Sequence, residues 1–474
     1  MRISSSSALL VSLVALSSAL ALAACSSSDS NTANPGAGDD DAGGATGSDA
    51  GANNAAGKNG VGGKSGVGGK SGAGGKSGAG QGGADSNGGS DSTDGGDANS
   101  GGSGGSDVTL PSTTATGIAA GRQHACAVTA EGAVRCWGYS DHGQIGNGAA
   151  FAEVGFSVPV EVTGITKGAT QVSTSSDHTC ALIAGKVQCW GLNDHHQLGV
   201  ASTKDSALPA AVAGLSGITA IAAGANHTCA LTTAGGVKCW GAGESGQLGN
   251  DSIEDSSPPV DVTGLSTGVT AIAAGRYHSC AINAAGGVLC WGGNNYGELG
   301  DDSTDASHVP VPVTGLASGV VAIAAGDSTT CVITVAGAAK CWGKNAKGQL
   351  GNGESGTLVE SHVAVQVEGL TTGVTSITTG YDFSCAVVAG AAQCWGSNYE
   401  DTIGNGEGPG FETATPVAVT GLTKGVKAIA ASAHGVCALT TGNAVKCWGL
   451  GGGGQLGNGT IDDSNIPVSV LSLP

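Results

Sequence analysis

The sequence predicts an all-β fold: a seven-bladed β-propeller of four-stranded antiparallel blades, preceded by a disordered Gly/Ser-rich tether. Three observations predict it. The seven tryptophans stand at 137, 190, 240, 291, 342, 395 and 448, at intervals of 53, 50, 51, 51, 53 and 53 residues. Each follows a cysteine and precedes a glycine. Each unit holds four short strand signals and no helical period, which is the content of one propeller blade.

The unit at 269–316 shows the four elements in order. Thr270-Ala271-Ile272-Ala273-Ala274-Gly275 is a strand of small residues, suited to the crowded axis of a ring. Residues 278–283 and 287–291 form two more, joined by a short turn. A Gly-rich loop and an acidic turn lead to Val309-Pro310-Val311-Pro312-Val313. Its prolines fit an outer edge, where a lost ladder donor costs little.

The hairpin between the second and third strands can be read to the residue. If Cys126 lies opposite Cys136, the loop is Ala130-Glu131-Gly132, and such loops want a left-handed residue in third place. The five units of this spacing offer Gly132, Gly235, Gly286, Gly337 and Asn443 there, residues that tolerate it. The other two units shorten the loop to Ala184-Gly185 and Ala389-Gly390 and keep the register. Opposed cysteines in such a pair lie within disulfide reach. The expected bridges join Cys126 to Cys136, Cys180 to Cys189, Cys229 to Cys239, Cys280 to Cys290, Cys331 to Cys341, Cys385 to Cys394 and Cys437 to Cys447. A zinc reading would combine these cysteines with His124, His178, His227 and His278, but the other units carry Thr329, Phe383 and Gly435 there. A ligand set should not decay while its cysteine pairs persist, so no metal is expected.

The N-terminus reads as a targeting segment. Arg2 precedes an apolar run from Ala8 to Leu22, too short to span a bilayer comfortably. Leu22-Ala23-Ala24-Cys25 resembles a bacterial lipobox, which implies lipidation at Cys25, the one cysteine outside the seven pairs. Ser26 resembles an outer-membrane sorting signal. Residues 26–107 hold almost no large apolar side chain and cannot offset their ordering entropy. Three Gly-Gly-Lys-Ser copies, at Lys64, Lys70 and Lys76, lack the first glycine of a phosphate loop and any flanking strand or helix. The expected organisation is a leader at 1–24, a linker at 25–107 and a propeller at 108–474. Its repeats fall at roughly 117–165, 166–215, 216–265, 266–316, 317–370, 371–422 and 423–474.

The units resemble the regulator-of-chromosome-condensation repeat family. The resemblance rests on Trp-Gly followed by Gly246-Gln247-Leu248-Gly249, Gly348-Gln349-Leu350-Gly351 and Gly454-Gln455-Leu456-Gly457. Variants are Gly143-Gln144-Ile145-Gly146, His196-Gln197-Leu198-Gly199, Gly297-Glu298-Leu299-Gly300 and Asp401-Thr402-Ile403-Gly404. It implies a closed seven-bladed ring and protein binding on a propeller face. The family includes nucleotide-exchange factors, a photoreceptor, ubiquitin-ligase modules and a secreted β-lactamase inhibitor. An exchange factor of this kind uses a wedge inserted in one blade, and no unit here holds a large insertion. A photoreceptor would need clustered extra tryptophans, and each unit here has one.

Catalysis has little support. A histidine repeated in several blades is architectural, and no Ser-His-Asp order or nucleophile elbow occurs. The acidic turns Asp251/Glu254/Asp255 and Asp301/Asp302/Asp305 lack the EF-hand pattern and read as solvated. A net charge of −19 argues against nucleic-acid binding, because phosphate neutralisation needs clustered Lys and Arg. Function is therefore expected where the repeats differ: the loop after Trp-Gly, with Tyr139, His142, His195, His196, Tyr296 and Tyr399, and the next loop, with Phe151, Phe156 and Phe411. The reading is a non-enzymatic, lipid-anchored extracytoplasmic scaffold, an outer-membrane lipoprotein binding a protein or glycan through one face. It needs no cofactor or nucleic acid, meets the membrane only through its lipid, and is a monomer. The alternative is an envelope structural or adhesion protein; an exchange factor or a loop-site hydrolase ranks below both.

Overall fold

The structure is a computed structural model and describes residues 114–149, 152–356, 359–471 and 473. The leader, Cys25, the linker and Phe151 lie outside the described residues.

Twenty-eight strands form seven four-stranded antiparallel sheets, each built from four consecutive strands. The blades span 115–161, 169–211, 218–261, 269–312, 320–366, 374–418 and 426–469. In blade 4 the strands are Val269–Ala274, His278–Asn283, Val288–Gly292 and Ser307–Pro312. They match the sequence reading apart from shifts of one or two residues at strand ends. Small residues of the first strands line an axial cavity of about 720 Å³. Pro159, Pro209, Pro258, Pro310, Pro416 and Pro467 lie in fourth strands, each at its sheet's outer edge.

The hairpin register holds residue for residue. Cys126 faces Cys136 and Trp137 faces Ala125, with equivalent pairs in every blade. Each expected cysteine pair is a disulfide. Cys126 bonds Cys136, Cys180 bonds Cys189, Cys229 bonds Cys239 and Cys280 bonds Cys290. Cys331 bonds Cys341, Cys385 bonds Cys394 and Cys437 bonds Cys447. The paired Cα atoms are 4.0–4.1 Å apart, each cysteine standing directly opposite its partner on the neighbouring strand. These fourteen sulfurs are spent inside the blades, so they are structural and take no part in a binding face. Gly132, Gly235, Gly286, Gly337 and Asn443 have φ of 82°, 77°, 76°, 75° and 62°. In the two shortened hairpins Ala184 and Ala389 are forced to φ of 49°, an unfavourable place for a side chain with a Cβ.

The core is a ring of seven clusters, one at each blade junction. Between blades 3 and 4, for example, Leu231, Val237 and Leu248 pack with Val269, Ala281 and Trp291. Every tryptophan is fully buried, and its indole N–H crosses the junction to one carbonyl of the preceding blade. Trp190 donates to Gln144 at 2.8 Å, Trp291 to Gln247 at 2.9 Å and Trp448 to Thr402 at 2.9 Å. The glycine ending each Gln-Leu-Gly is required by this contact. A Cβ on Gly146 would lie 2.5 Å from the Trp190 indole nitrogen.

The ring closes without strand exchange. Trp137 of blade 1 donates to Gln455 of blade 7 at 2.9 Å, and Ala115, Ala127 and Trp137 pack with Leu439, Val445 and Leu456.

Candidate functional site

Consecutive antiparallel strands divide the loops between two faces. The hairpins and the blade-to-blade connections share one face. The connections from first to second strand and from third to fourth strand share the other, here called the loop face. The Tyr139 amide, for instance, donates to the Gln123 carbonyl across two such loops at 2.8 Å.

The four recurrent histidines lie beneath the loop face and hold the blades together. Thr179 Oγ1 donates its single proton to the Gln144 carbonyl at 3.0 Å, so His124 Nε2, 2.9 Å away, must donate to it. The same staple joins His178 to Thr228, His227 to Ser279 and His278 to Thr330. Burial drives the pKa of His124 and His227 to about 3 and of His178 and His278 to about 4, with a further push on His124 and His227 from neighbouring histidines. Neutral, buried and spent on the next blade, they are unavailable as surface acids or bases.

The loop face gathers the tyrosines. The chain has five, and all belong to it: Tyr277 and Tyr381 in first-to-second connections, Tyr139, Tyr296 and Tyr399 at or beyond the end of third strands. Tyr277, Tyr296 and Tyr381 are 37%, 39% and 41% exposed, and Tyr399 is 77% exposed. Lys344 ties three of these elements together. Its ammonium lies 5.6 Å from the Tyr296 ring centroid and 5.3 Å from that of Tyr381, and pairs with Asp382 at 2.9 Å. Partial burial opposes the charge, but Asp382 outweighs it and holds the pKa above the usual lysine value. Arg276 pairs with Asp327 at 2.9 Å and lies over Tyr277. Next to them Glu298 takes the place of the repeat's glutamine and accepts the Tyr296 amide at 2.8 Å. Burial first, and then the nearby Asp327 charge, raise its pKa to about 7 against the pull of that amide.

The other expected residues have mixed placements. His142 is drawn into an inter-blade pair with Asp205 at 2.7 Å, and His195 into one with Asp255 at 2.9 Å. Burial lowers each histidine's pKa, but those hydrogen bonds and the surrounding aspartates prevail and leave it raised. His196 is a left-handed turn residue at φ 63°. Phe156 is half-buried: it pairs with Gly138 and packs on the core beside Val160. Phe411 is half-buried, and its carbonyl accepts the Asn398 amide at 2.9 Å. Among the described residues no group of three or more His, Cys, Asp or Glu side chains could hold a metal ion.

The sequence matches the RCC1-like domain family over residues 75–420. The chain belongs to that family. This RCC1-like chain is 30% identical over 381 residues to the Ultraviolet-B receptor UVR8 of Arabidopsis thaliana, covering 77% of itself and 84% of the receptor. It is 29% identical over 355 residues to the E3 ubiquitin-protein ligase HERC2 of Homo sapiens, covering 72% of itself and 7% of that protein. Among solved structures it is similar to Prp20p from Saccharomyces cerevisiae, with a TM-score of 0.65 and 21% identity over 76% of this chain and 88% of that one. Human WBSCR16 gives 0.63 and 22%, over 71% and 93%. Both structural likenesses concern the fold. The family match ends before the first strand of blade 7, which the structure places at Val426–Ala431.

One set of loop-face positions was not singled out from the sequence. The two residues before each second strand are Arg122-Gln123, Ser176-Asp177, Ala225-Asn226, Arg276-Tyr277, Asp327-Ser328, Tyr381-Asp382 and Ala433-His434. Residues of all seven pairs border the axial cavity. The signal was present: these pairs vary completely between neighbours that repeat.

Proposed function

We propose that this RCC1-like chain is a non-enzymatic, extracytoplasmic interaction scaffold that binds a protein partner through its loop face. The observation that carries the reading is the gathering of all five tyrosines on that face, four of them more than a third exposed. Tyrosine supplies large contact area with a polar tip, and such residues dominate binding energy at interfaces. The opposite face bears near-identical connections, such as Thr263-Gly264-Leu265 and Thr314-Gly315-Leu316. Seven disulfides suit an oxidising compartment. Anchoring through lipid at Cys25 and outer-membrane placement rest on Leu22-Ala23-Ala24-Cys25 and Ser26. Labelled fatty acid should enter the wild-type chain and not Cys25→Ser.

The light-receptor role of one relative finds no parallel in the tryptophans. They stand one per blade, each fully buried. A photo-crosslinking residue at position 399, compared with one at Val335 on the hairpin face, tests the binding face. Discrete adducts at 399 and none at 335 are expected. The reverse pattern would overturn the assignment.

A further inference from the structure

We propose that a cavity between blades 6 and 7 is a subsite for a cationic side chain of the partner, a lysine ammonium or arginine guanidinium. The proposal rests on the loop face being the partner-binding face. The cavity measures about 300 Å³ and opens among Tyr381, Phe383, Tyr399, Glu400, Glu412 and His434.

Departures from the repeat build this cavity. In blade 5 the Gln349 side chain folds back to accept the Lys347 amide at 2.8 Å and reaches Asp382 of the next blade at 3.1 Å. The blade 6 residue at that position is Thr402. Its carbonyl still receives the Trp448 indole, so the junction survives. Its shorter side chain donates to the Ser397 carbonyl instead and cannot extend toward His434, the blade 7 equivalent of Asp382. Thr402 and His434 both line the cavity, so space that a glutamine would enter is open. The wall gains an aromatic ring because Phe383 replaces the stapling histidine.

The chemistry favours a cation. Three aromatic rings and the carboxylates of Asp382, Glu400 and Glu412 surround the space, against Lys347, His434 and the Lys344 ammonium paired with Asp382. Lys347 pairs with Glu412 at 2.6 Å, and His434 with Glu400. The adjoining box already holds such a group. Lys344 of this chain places its ammonium over Tyr381, a residue that also lines the cavity, with Asp382 as counter-ion. Aromatic faces beside a carboxylate are the usual setting for alkylammonium and guanidinium recognition. A chain of net charge −19 also draws basic partners to its surface.

The test uses short labelled peptides, one Lys/Arg-rich, one Asp/Glu-rich and one Gly/Ser-only, with fluorescence anisotropy on the whole chain. The basic peptide is expected to bind, and the other two are not. Thr402→Gln restores the repeat's own residue without changing charge, so a general electrostatic attraction would survive it. Binding should weaken roughly tenfold in Thr402→Gln, and about threefold in Tyr399→Ala, where an exposed ring is lost with little risk to folding. Equal binding of the acidic peptide, or unchanged binding of the basic peptide by both variants, would overturn the subsite. Crosslinking through position 277 separates the two readings. A partner captured there with no basic-peptide binding defeats the subsite alone. Basic-peptide binding that Thr402→Gln abolishes, with no partner captured at 277 or 399, defeats the scaffold reading alone.

Discussion

The junctions from blade 1 to blade 5 and the three that complete the ring meet the same requirement with different chemistry. Each of the first four sets a histidine against a hydroxyl: His124 with Thr179, His178 with Thr228, His227 with Ser279, His278 with Thr330. The remaining junctions carry Thr329 with Ser384, Phe383 with Val436, and Gly435 with Ala125 at those positions. Polar stands with polar, apolar with apolar and small with small. The tryptophan and its carbonyl acceptor are common to all seven. What varies is thus a second layer of the junction, and the cavity occurs where that layer has turned apolar. The comparison teaches that a repeat protein can give up a structural side chain in one unit, and gain a site there, without opening the ring.

Acid should separate the two groups of junctions most strongly. The stapling histidines have folded pKa values near 3 to 4, below their unfolded value of 6.5. The unfolded chain therefore binds more protons between those limits. The histidine contribution is complete above pH 6.5 and is lost as pH falls toward 4, at about 1 kcal/mol per histidine per pH unit. Melting midpoints measured from pH 7 to 4 should fall steeply, and His227→Phe combined with Ser279→Val should flatten the slope. An unchanged slope would contradict the assignment of these histidines as buried and neutral.

The pairing of residue types can be tested by transplanting it. His227→Phe alone leaves the buried Ser279 hydroxyl without its donor and should cost about 1–3 kcal/mol. Adding Ser279→Val should recover part of that, because it copies Phe383 with Val436. Conversely, Phe383→His should destabilise, and Val436→Thr should rescue it. Chemical denaturation of the singles and doubles gives the coupling energy, and strict additivity would sink the idea of a matched layer.

Glu298 tests the glutamine position in the same way. Its folded pKa of about 7 lies above the ordinary value of 4.5, so its contribution is complete below pH 4.5 and is lost as pH rises through 7. Glu298→Gln should leave stability at pH 4 unchanged and raise it at pH 8, by on the order of 1–2 kcal/mol. The smallest effect belongs to the shortened hairpins. Ala184→Asn and Ala389→Asn should each add up to about 1 kcal/mol, since asparagine tolerates the left-handed conformation better.

The blade interior was legible because its rules are local. The loop residues Gly132 and Asn443 fixed which strand residues oppose one another, and so fixed the disulfides and the residue facing each tryptophan. The junction was not legible, since its indole donor and carbonyl acceptor belong to different blades, 43–46 residues apart at six junctions and 318 at the closure from Trp137 to Gln455. Reading the third-strand loop as the place of variation found Tyr296 and Tyr399. It also collected His142 and His195, whose aspartate partners lie in a neighbouring blade. Arg276, Tyr277 and Tyr381 stand in three-residue connections, 275–277 and 380–382, that carry no motif of their own, and strand geometry alone brings them to the mouth of the axial cavity.

The central claim is that repeated residues hold the ring while the departures make the site. Partner crosslinking through position 277, normalised to folded protein, tests it most directly in His227→Phe and Thr402→Gln. The expected result is a double dissociation. His227→Phe lowers the melting midpoint and leaves the adduct yield intact; Thr402→Gln keeps the midpoint and lowers the adduct yield. A Thr402→Gln chain that captures its partner as well as wild type, beside a His227→Phe chain that folds normally but captures nothing, would contradict it.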